Sequence, residues 1–560
     1  MRYSKRYIVF AVLLLLALGL KLNNWNDEYA DVTEFRGASL QDEVFYPLKA
    51  KSVNDEGLLT LTIGEDTYKN KDGIILGDYM QVLADLDFVQ EKFGCSAKLY
   101  DKKTVEVQFN NYTYQFTVGK KKAIMGGETY KLSTPAEIHS DKAYLPLEDL
   151  CKFFSVEYAY DEGNYQAVIS GEINKGKLPK AFDLRGNGRA ADVRDQGSDA
   201  TCWAQASLTA LESSLLPMEK KHYSVDRMVK DNAFSVDQSL GGDYTMALAY
   251  LLSWQGPTEK KTVDKHVQEV HFFDQDNIDG IKWAVYQNGG VSTSIYANIS
   301  TSNLSKSSYY NRKKNAYCYR GQEKPNHDVV IIGWNDYYSK DNFVGDVPGD
   351  GAFVCQNSWG ASFGEEGVFY VSYYDTNIGD QAVSYVKVED TDNYDTIYQS
   401  DLCGWSGNVG FNKDKIWGAN IFEADSSEDI LSAGFYALDG NTQYQLYFVP
   451  DYQGVSSLAN RVEVASGTLT YGGYYTITFD HPHYVEEGQS FAVVLAIQTP
   501  GMNHPMAIEN RSDELTKNVD ITDGEGYISK NGLDWDRVEE SAKGNLCIKA
   551  YGKKPAEQTR

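Results

Sequence analysis

The apolar pattern of this chain changes character several times along its 560 residues, which no single hydrophobic core accommodates. One core stops growing near roughly 250–300 residues, and a prior of about one domain per 150 residues predicts three or four units. The segments divide accordingly. Arg2, Lys5 and Arg6 precede an unbroken apolar run from Tyr7 to Leu20, 14 residues long, the length of a secretory h-region. A spanning helix needs about 20 residues, yet Lys21 follows without a small-x-small cleavage site, so residues 1–21 are read as a signal peptide or a membrane anchor. Export follows from either. Residues 22–56 read as a polar linker.

Residues 57–171 carry an internal repeat. Tyr79-Met-Gln-Val-Leu-Ala-Asp-Leu86 leads into a helical stretch, Leu99-Tyr-Asp101 and the alternating Thr104–Phe109 run. Tyr144-Leu-Pro-Leu-Glu-Asp-Leu150 leads into a second, ending in Ala159-Tyr-Asp161 and Tyr165–Ile169. Residues 178–390 turn to a helix followed by mixed segments. Over 396–553 the pattern is strand-rich, with Gln443–Val449, Tyr475–Phe479 and Phe491–Ile497 separated by Gly, Pro, Asn and Asp turns, as in a β-sandwich. The predicted fold class is α+β multidomain: a two-lobed central domain between a small α+β module and a C-terminal β-sandwich.

Composition narrows the partners. A net charge of −26 without a basic patch argues against nucleic acid and anionic membrane surfaces. Seven cysteines are too few for a disulfide-dense scaffold. Their positions suggest the pairs Cys95 with Cys151, Cys318 with Cys355 and Cys403 with Cys547, leaving Cys202 alone, although six cysteines allow 15 pairings.

The chemistry concentrates in Asp195-Gln-Gly-Ser-Asp-Ala-Thr-Cys202-Trp-Ala-Gln-Ala. From Trp203 the pattern is helical, so Cys202 sits at a helix N-terminus, where exposed amides favour a thiolate. Gln196, six residues earlier, offers a side-chain amide to a developing oxyanion, with the Cys202 backbone N–H as second donor. A base must come from elsewhere. His222, His266 and His271 stand in polar context and read as surface residues, whereas Asn326-His-Asp-Val-Val-Ile-Ile-Gly-Trp334 places His327 at the mouth of a buried strand. Gly351–Gly360 supplies another strand ending in Asn357-Ser-Trp359, whose Asn can orient an imidazole while Trp359 shields that bond.

These residues resemble the Cys, His and Asn motifs of the papain-like cysteine peptidases, with their oxyanion Gln, in the family's order. The separations of 125 residues to His327 and 155 to Asn357 lie near the family's roughly 130–150. Gly241 and Gly242 are similar to the glycines that pair with substrate backbone in family members. The repeat resembles the copper amine oxidase N-terminal-like domain, and the C-terminal segment resembles the lectin-like domain of some bacterial peptidases. Departures are Asp199 where many relatives carry Cys, Ala200 in place of a usual Gly, and a polar insertion from Asp336 to Asp350.

The resemblance implies an exported cysteine endopeptidase acting through a thioester on a protein or peptide substrate. Catalytic roles fall to Cys202, His327, Asn357 and Gln196, substrate binding to Gly241, Gly242 and Trp359, and no metal or other cofactor is called for. The flanking domains would hold a cell-wall or glycan ligand, and their own repeat and strand patterns read as independently folding units, the alternative being a sandwich that packs on the peptidase as a required buttress. Other readings are a cysteine transpeptidase or amidase at the cell wall, or an inert adhesive or glycan-binding surface protein. Asp274–Gly280 reads as a helix-capping loop, His139 as a turn residue and His481-Pro-His483 as a solvated turn.

Overall fold

The computed structural model describes residues 50–555 apart from 65, 101, 110, 111, 126, 127, 141, 155, 171–177, 236–240 and 299–306. The export segment and most of the linker lie outside them. Among the described residues no helix is long and apolar enough to cross a membrane.

The repeat is a strand–helix–strand–strand unit used twice. Val82–Asp85 leads into helix Leu86–Phe93 and strands Ser96–Tyr100 and Thr104–Phe109. Lys142–Pro146 leads into Leu147–Phe153, Glu157–Asp161 and Gln166–Ser170. The first strands of the two copies pair antiparallel, Asp85 opposite Tyr144 and Leu83 opposite Pro146, so the copies face each other. Asp85 also caps its helix by accepting the Phe88 N–H at 2.8 Å, whereas Pro146 stands at the matching cap without a side-chain bond. His139 ends the strand Glu137–His139 instead of forming a turn, its Nε2 2.6 Å from Glu137.

In the central domain the helix Cys202–Leu215 is buried from Trp203 to Leu215. Its small residues Ala204, Ala206, Ser207 and Ala210 let strands pack closely on several sides, and each large buried apolar side chain contributes about 1.5–3 kcal/mol. Against it runs a sheet in the spatial order Val368–Ser372, Ala352–Gln356, His327–Asn335, Val291–Ile295, Ala382–Asp390, Lys265–Phe273.

This sheet does not stop at the domain edge. Lys265–Phe273 pairs on its far side with Gly472–Val485, Glu269 opposite Tyr475 and Phe272 opposite Gly472. The order continues through Glu428–Ala437 and Ile548–Lys553 to Thr396–Tyr398, making one 13-stranded sheet. Its C-terminal part faces a six-stranded sheet built on Lys415–Glu423, Thr442–Val449 and Ser490–Gln498. Phe435, Phe448, Phe479 and Phe491 fill the space between them, which is the expected sandwich. The sandwich therefore packs on the protease domain through a shared sheet, which pairs edge strands of both domains that would otherwise leave unpaired backbone groups.

The suggested disulfides are also corrected, since all seven cysteines are free thiols. Register explains one case. Tyr317 is level with Val371, so Cys318 falls beside Ser372, while Cys355 is level with Phe369. They sit on strands either side of Val368–Ser372, offset by about 10 Å along the strand and by roughly another 10 Å across it, beyond the reach of a disulfide.

Candidate active site

Cys202 opens its helix behind Thr201, and its sulfur faces the backbone N–H groups of Cys202, Trp203 and Asp328. Asp328 adjoins His327 at the start of the His327–Asn335 strand, so the helix mouth and the strand mouth meet. His327 Nε2 lies 2.8 Å from Asn357 Oδ1. The Trp359 ring stacks on the imidazole with centroids 4.7 Å apart, and His327 and Asn357 are both buried. Asn357 Oδ1 also accepts the Ser358 N–H at 2.7 Å.

Gln196 reaches the same place from a different loop. Its backbone N–H donates to the Ser358 carbonyl at 2.8 Å, and the Ser358 hydroxyl donates to Gln196 Oε1 at 2.6 Å. One N–H of its side-chain amide goes to the Asp199 carbonyl at 2.7 Å. The loop is anchored below by Arg194, which pairs with Glu212 of the buried helix and donates to the Tyr223 carbonyl at 3.0 Å. Thus four sequence-predicted residues lie in two short stretches, Gln196–Cys202 and His327–Asn357, that begin more than 120 residues apart in the chain.

Gly241 lies beside the Ala200 carbonyl in a left-handed conformation, φ 77°. Gly242 packs on Trp203 so closely that a Cβ would come within 2.8 Å of its indole. Behind them Asp243 and Tyr244 line a cleft of about 360 Å³, whose opposite wall is Trp405, Ser406, Ser512 and Thr516 of the C-terminal domain.

The electrostatics run against the helix-end expectation. Burial pushes the Cys202 thiol up to about 12, the Asp328 carboxylate adding to it, and the three amides only partly oppose this. Burial likewise holds His327 down to about 4, against the Asn357 hydrogen bond. Taken singly, both groups rest neutral. Asp328 is the residue that sequence reasoning missed. It is half-buried beside the sulfur, receives the Ser294 hydroxyl at 2.5 Å, and is raised to about 7 by desolvation and then by Asp243. The only sequence signal was its adjacency to His327.

The other histidines divide. His222 is exposed as expected, but His266 is buried, stacked on Trp254 at 3.7 Å and 2.6 Å from Asn393 Oδ1. His271 is half-buried at the domain joint, 2.8 Å from Glu269 and against Tyr471 and Tyr475. Asn277 accepts the Gly280 N–H at 2.9 Å, so Asp274–Gly280 does cap a helix. His481 and His483 lie within the strand Gly472–Val485 and not in a turn, their ring nitrogens and an Asp480 oxygen within 4.8 Å of one another.

The profile of the papain family cysteine proteases matches residues 178–386, that of the copper amine oxidase N-terminal domain residues 75–169, and that of the lectin-like domain residues 397–552. Cathepsin K of Gallus gallus is 27% identical over 212 residues, covering 34% of this chain and 58% of the cathepsin. Cathepsin F of Drosophila melanogaster is 26% identical over 224 residues, covering 36% of this chain and 34% of that one. This chain therefore spans less than two thirds of those relatives. The structure of the clostridial cysteine protease Cwp84 after propeptide cleavage superposes with a TM-score of 0.59 at 26% identity, covering 67% of this chain and 99% of the solved chain. A second structure, of the cysteine protease and lectin-like domains of Cwp84, a surface layer associated protein of Clostridium difficile, gives 0.58 at 25% identity over 68% of this chain and 89% of that one. The chain carries a papain-type cysteine protease domain between a copper amine oxidase N-terminal domain and a lectin-like domain.

Proposed function

We propose that this chain is an exported cysteine endopeptidase of the bacterial cell surface, cleaving peptide bonds through a thioester on Cys202. The observation that carries the reading is the His327 ring, fixed between Asn357 Oδ1 at 2.8 Å and the Trp359 face, with the sulfur against the next residue's backbone N–H. A neutral resting pair makes His327 a base that takes the thiol proton as the sulfur bonds to the scissile carbonyl carbon. The imidazolium so formed lies beside the negative tetrahedral oxygen, and attraction between the new charges offsets part of the desolvation that kept them neutral. The free N–H of Gln196 and the Cys202 backbone N–H receive that oxygen. His327 then returns the proton to the leaving amine, and the same ring activates the water that releases the acyl group. Asn357 keeps the ring in one orientation without adding a charge.

Gly241 and Gly242 present backbone to the peptide on the side away from the leaving group, continuing toward the cleft walled by Trp405. The surface location rests on the apolar N-terminal run and on the surface layer association of Cwp84. The lectin-like domain would hold the enzyme on a glycan.

The test is a peptide-library digestion by the full-length protein beside its Cys202→Ala variant, with an added amine acceptor. Hydrolysis lost in the variant supports the reading. Products carrying the amine favour a transpeptidase, and no turnover favours an inert adhesive protein. An epoxide inhibitor of the family should label Cys202 alone.

A further inference from the structure

Past the domain joint, the strand Gly472–Val485 loses its regular alternation. Thr478 pairs with Ser432 and His483 with Ile430, so the four residues Phe479–Pro482 stand opposite Leu431 alone. In a regular strand Asp480 would project from the face opposite His481 and His483. The bulge removes that restriction, and Pro482, which has no N–H to give a ladder, stands within it. One oxygen of Asp480 and one ring nitrogen of each histidine accordingly lie within 4.8 Å of one another.

The three side chains are held by different means. His483 stacks on Phe448 with ring centroids 4.7 Å apart and meets Phe479 edge-on at 5.8 Å, both core residues of the sandwich. Its Nε2 is buried and has no hydrogen-bond partner among the described residues. An unsatisfied buried nitrogen is costly, and a metal ion is one way to satisfy it. His481 is tilted against that ring, centroids 4.4 Å apart, with its Nδ1 2.7 Å from Asp480 Oδ1. The His481 and Asp480 side chains are each 59% exposed, so the cluster opens to solvent on their side.

We propose that Asp480, His481 and His483 bind zinc through one carboxylate oxygen and two imidazole nitrogens, with water in the fourth position. Two imidazoles beside a carboxylate suit zinc, whereas calcium and magnesium take oxygen ligands. Zinc bonds of about 2.0–2.1 Å set tetrahedral donors roughly 3.4 Å apart. Rotation of the exposed Asp480 and His481 side chains covers the difference, while His483 stays where the core holds it. Three protein ligands leave one position open, and it faces water. The ion would also cross-link the bulge, where the ladder to Glu428–Ala437 is interrupted.

Cys202 and His327 can also take zinc, so the test uses full-length Cys202→Ala protein, reduced and stripped with a chelator. One zinc ion should bind by isothermal titration calorimetry and raise the thermal midpoint, with no response to magnesium. His481→Asn, on an exposed ring, should unfold in chelator at the parental temperature yet bind zinc about 10-fold or more weakly. Asp480→Asn should weaken binding in the same direction. One equivalent of cobalt should give ligand-field bands without the sulfur-to-metal charge-transfer band that any of the six remaining cysteines would bring. Parental zinc affinity in His481→Asn overturns the proposal. So does a thiolate band, an equal response to magnesium, or the absence of heat and thermal shift at millimolar zinc.

Discussion

At the candidate site, identity matters more than packing. Gln196→Ala should lower kcat by roughly 10²–10³-fold with little change in KM, because its free N–H meets charge that exists only in the transition state. Steady-state kinetics on the best library peptide checks this, and an unchanged kcat places the donor elsewhere. Asp328 has a different signature. Its folded pKa of about 7 lies above the ordinary 3.8, so the folded chain holds a proton there that the unfolded chain has lost. Its contribution is complete below about pH 4 and is lost as pH rises through 7, so stability falls across that window. Asp328→Asn should remove this slope, raising stability at pH 8 relative to pH 5 when urea midpoints are compared. Parallel pH profiles for variant and wild type would refute it. The sequence made Cys202, His327, Asn357 and Gln196 legible because each stands in a local string with its own periodicity. Asp328 was hidden, since a polar residue after His reads as outward-facing until the register Ser294 opposite Asp328 turns it toward the site.

The buried helix and the strands around it set the geometry that those residues need. Glu212, 1% exposed on that helix, holds Arg194 and so the loop of Gln196. Glu212→Ala should cost about 3–5 kcal/mol, because it strands a buried guanidinium, and Glu212→Gln less. Chemical denaturation measures both. At the joint, Gly473 approaches the neighbouring strand so tightly that a Cβ would lie 2.1 Å from the Val270 carbonyl. Gly473→Ala should destabilise by roughly 2 kcal/mol or more, while barely moving kcat of the folded fraction. A variant as stable as wild type would mean that the two strands are not in register in solution. The strand runs themselves were readable from alternation and turn residues. Their pairing was not, because Gln268 and Thr476 meet across 208 residues of sequence and nothing local encodes that distance.

For the whole molecule, the repeat and the strand-rich tail were visible as separate patterns, which is why independent folding was the natural expectation. A shared sheet couples the last two units instead. Residues 178–553 should unfold in one calorimetric transition, and a chain ending at Asp390 should aggregate or lose activity even on small peptides, since it bares the Glu269–Phe272 edge. Two resolved transitions, or an active truncated enzyme, would restore the independent picture. The same ladder bears on self-digestion. A cut anywhere in the connector between Asp390 and Thr396 would sever the covalent link but not the main-chain hydrogen bonds from Glu269–Phe272 to Gly472–Tyr475. The nicked protein would migrate as two bands under denaturing conditions and as one particle under native ones, still tethered to whatever its C-terminal half grips.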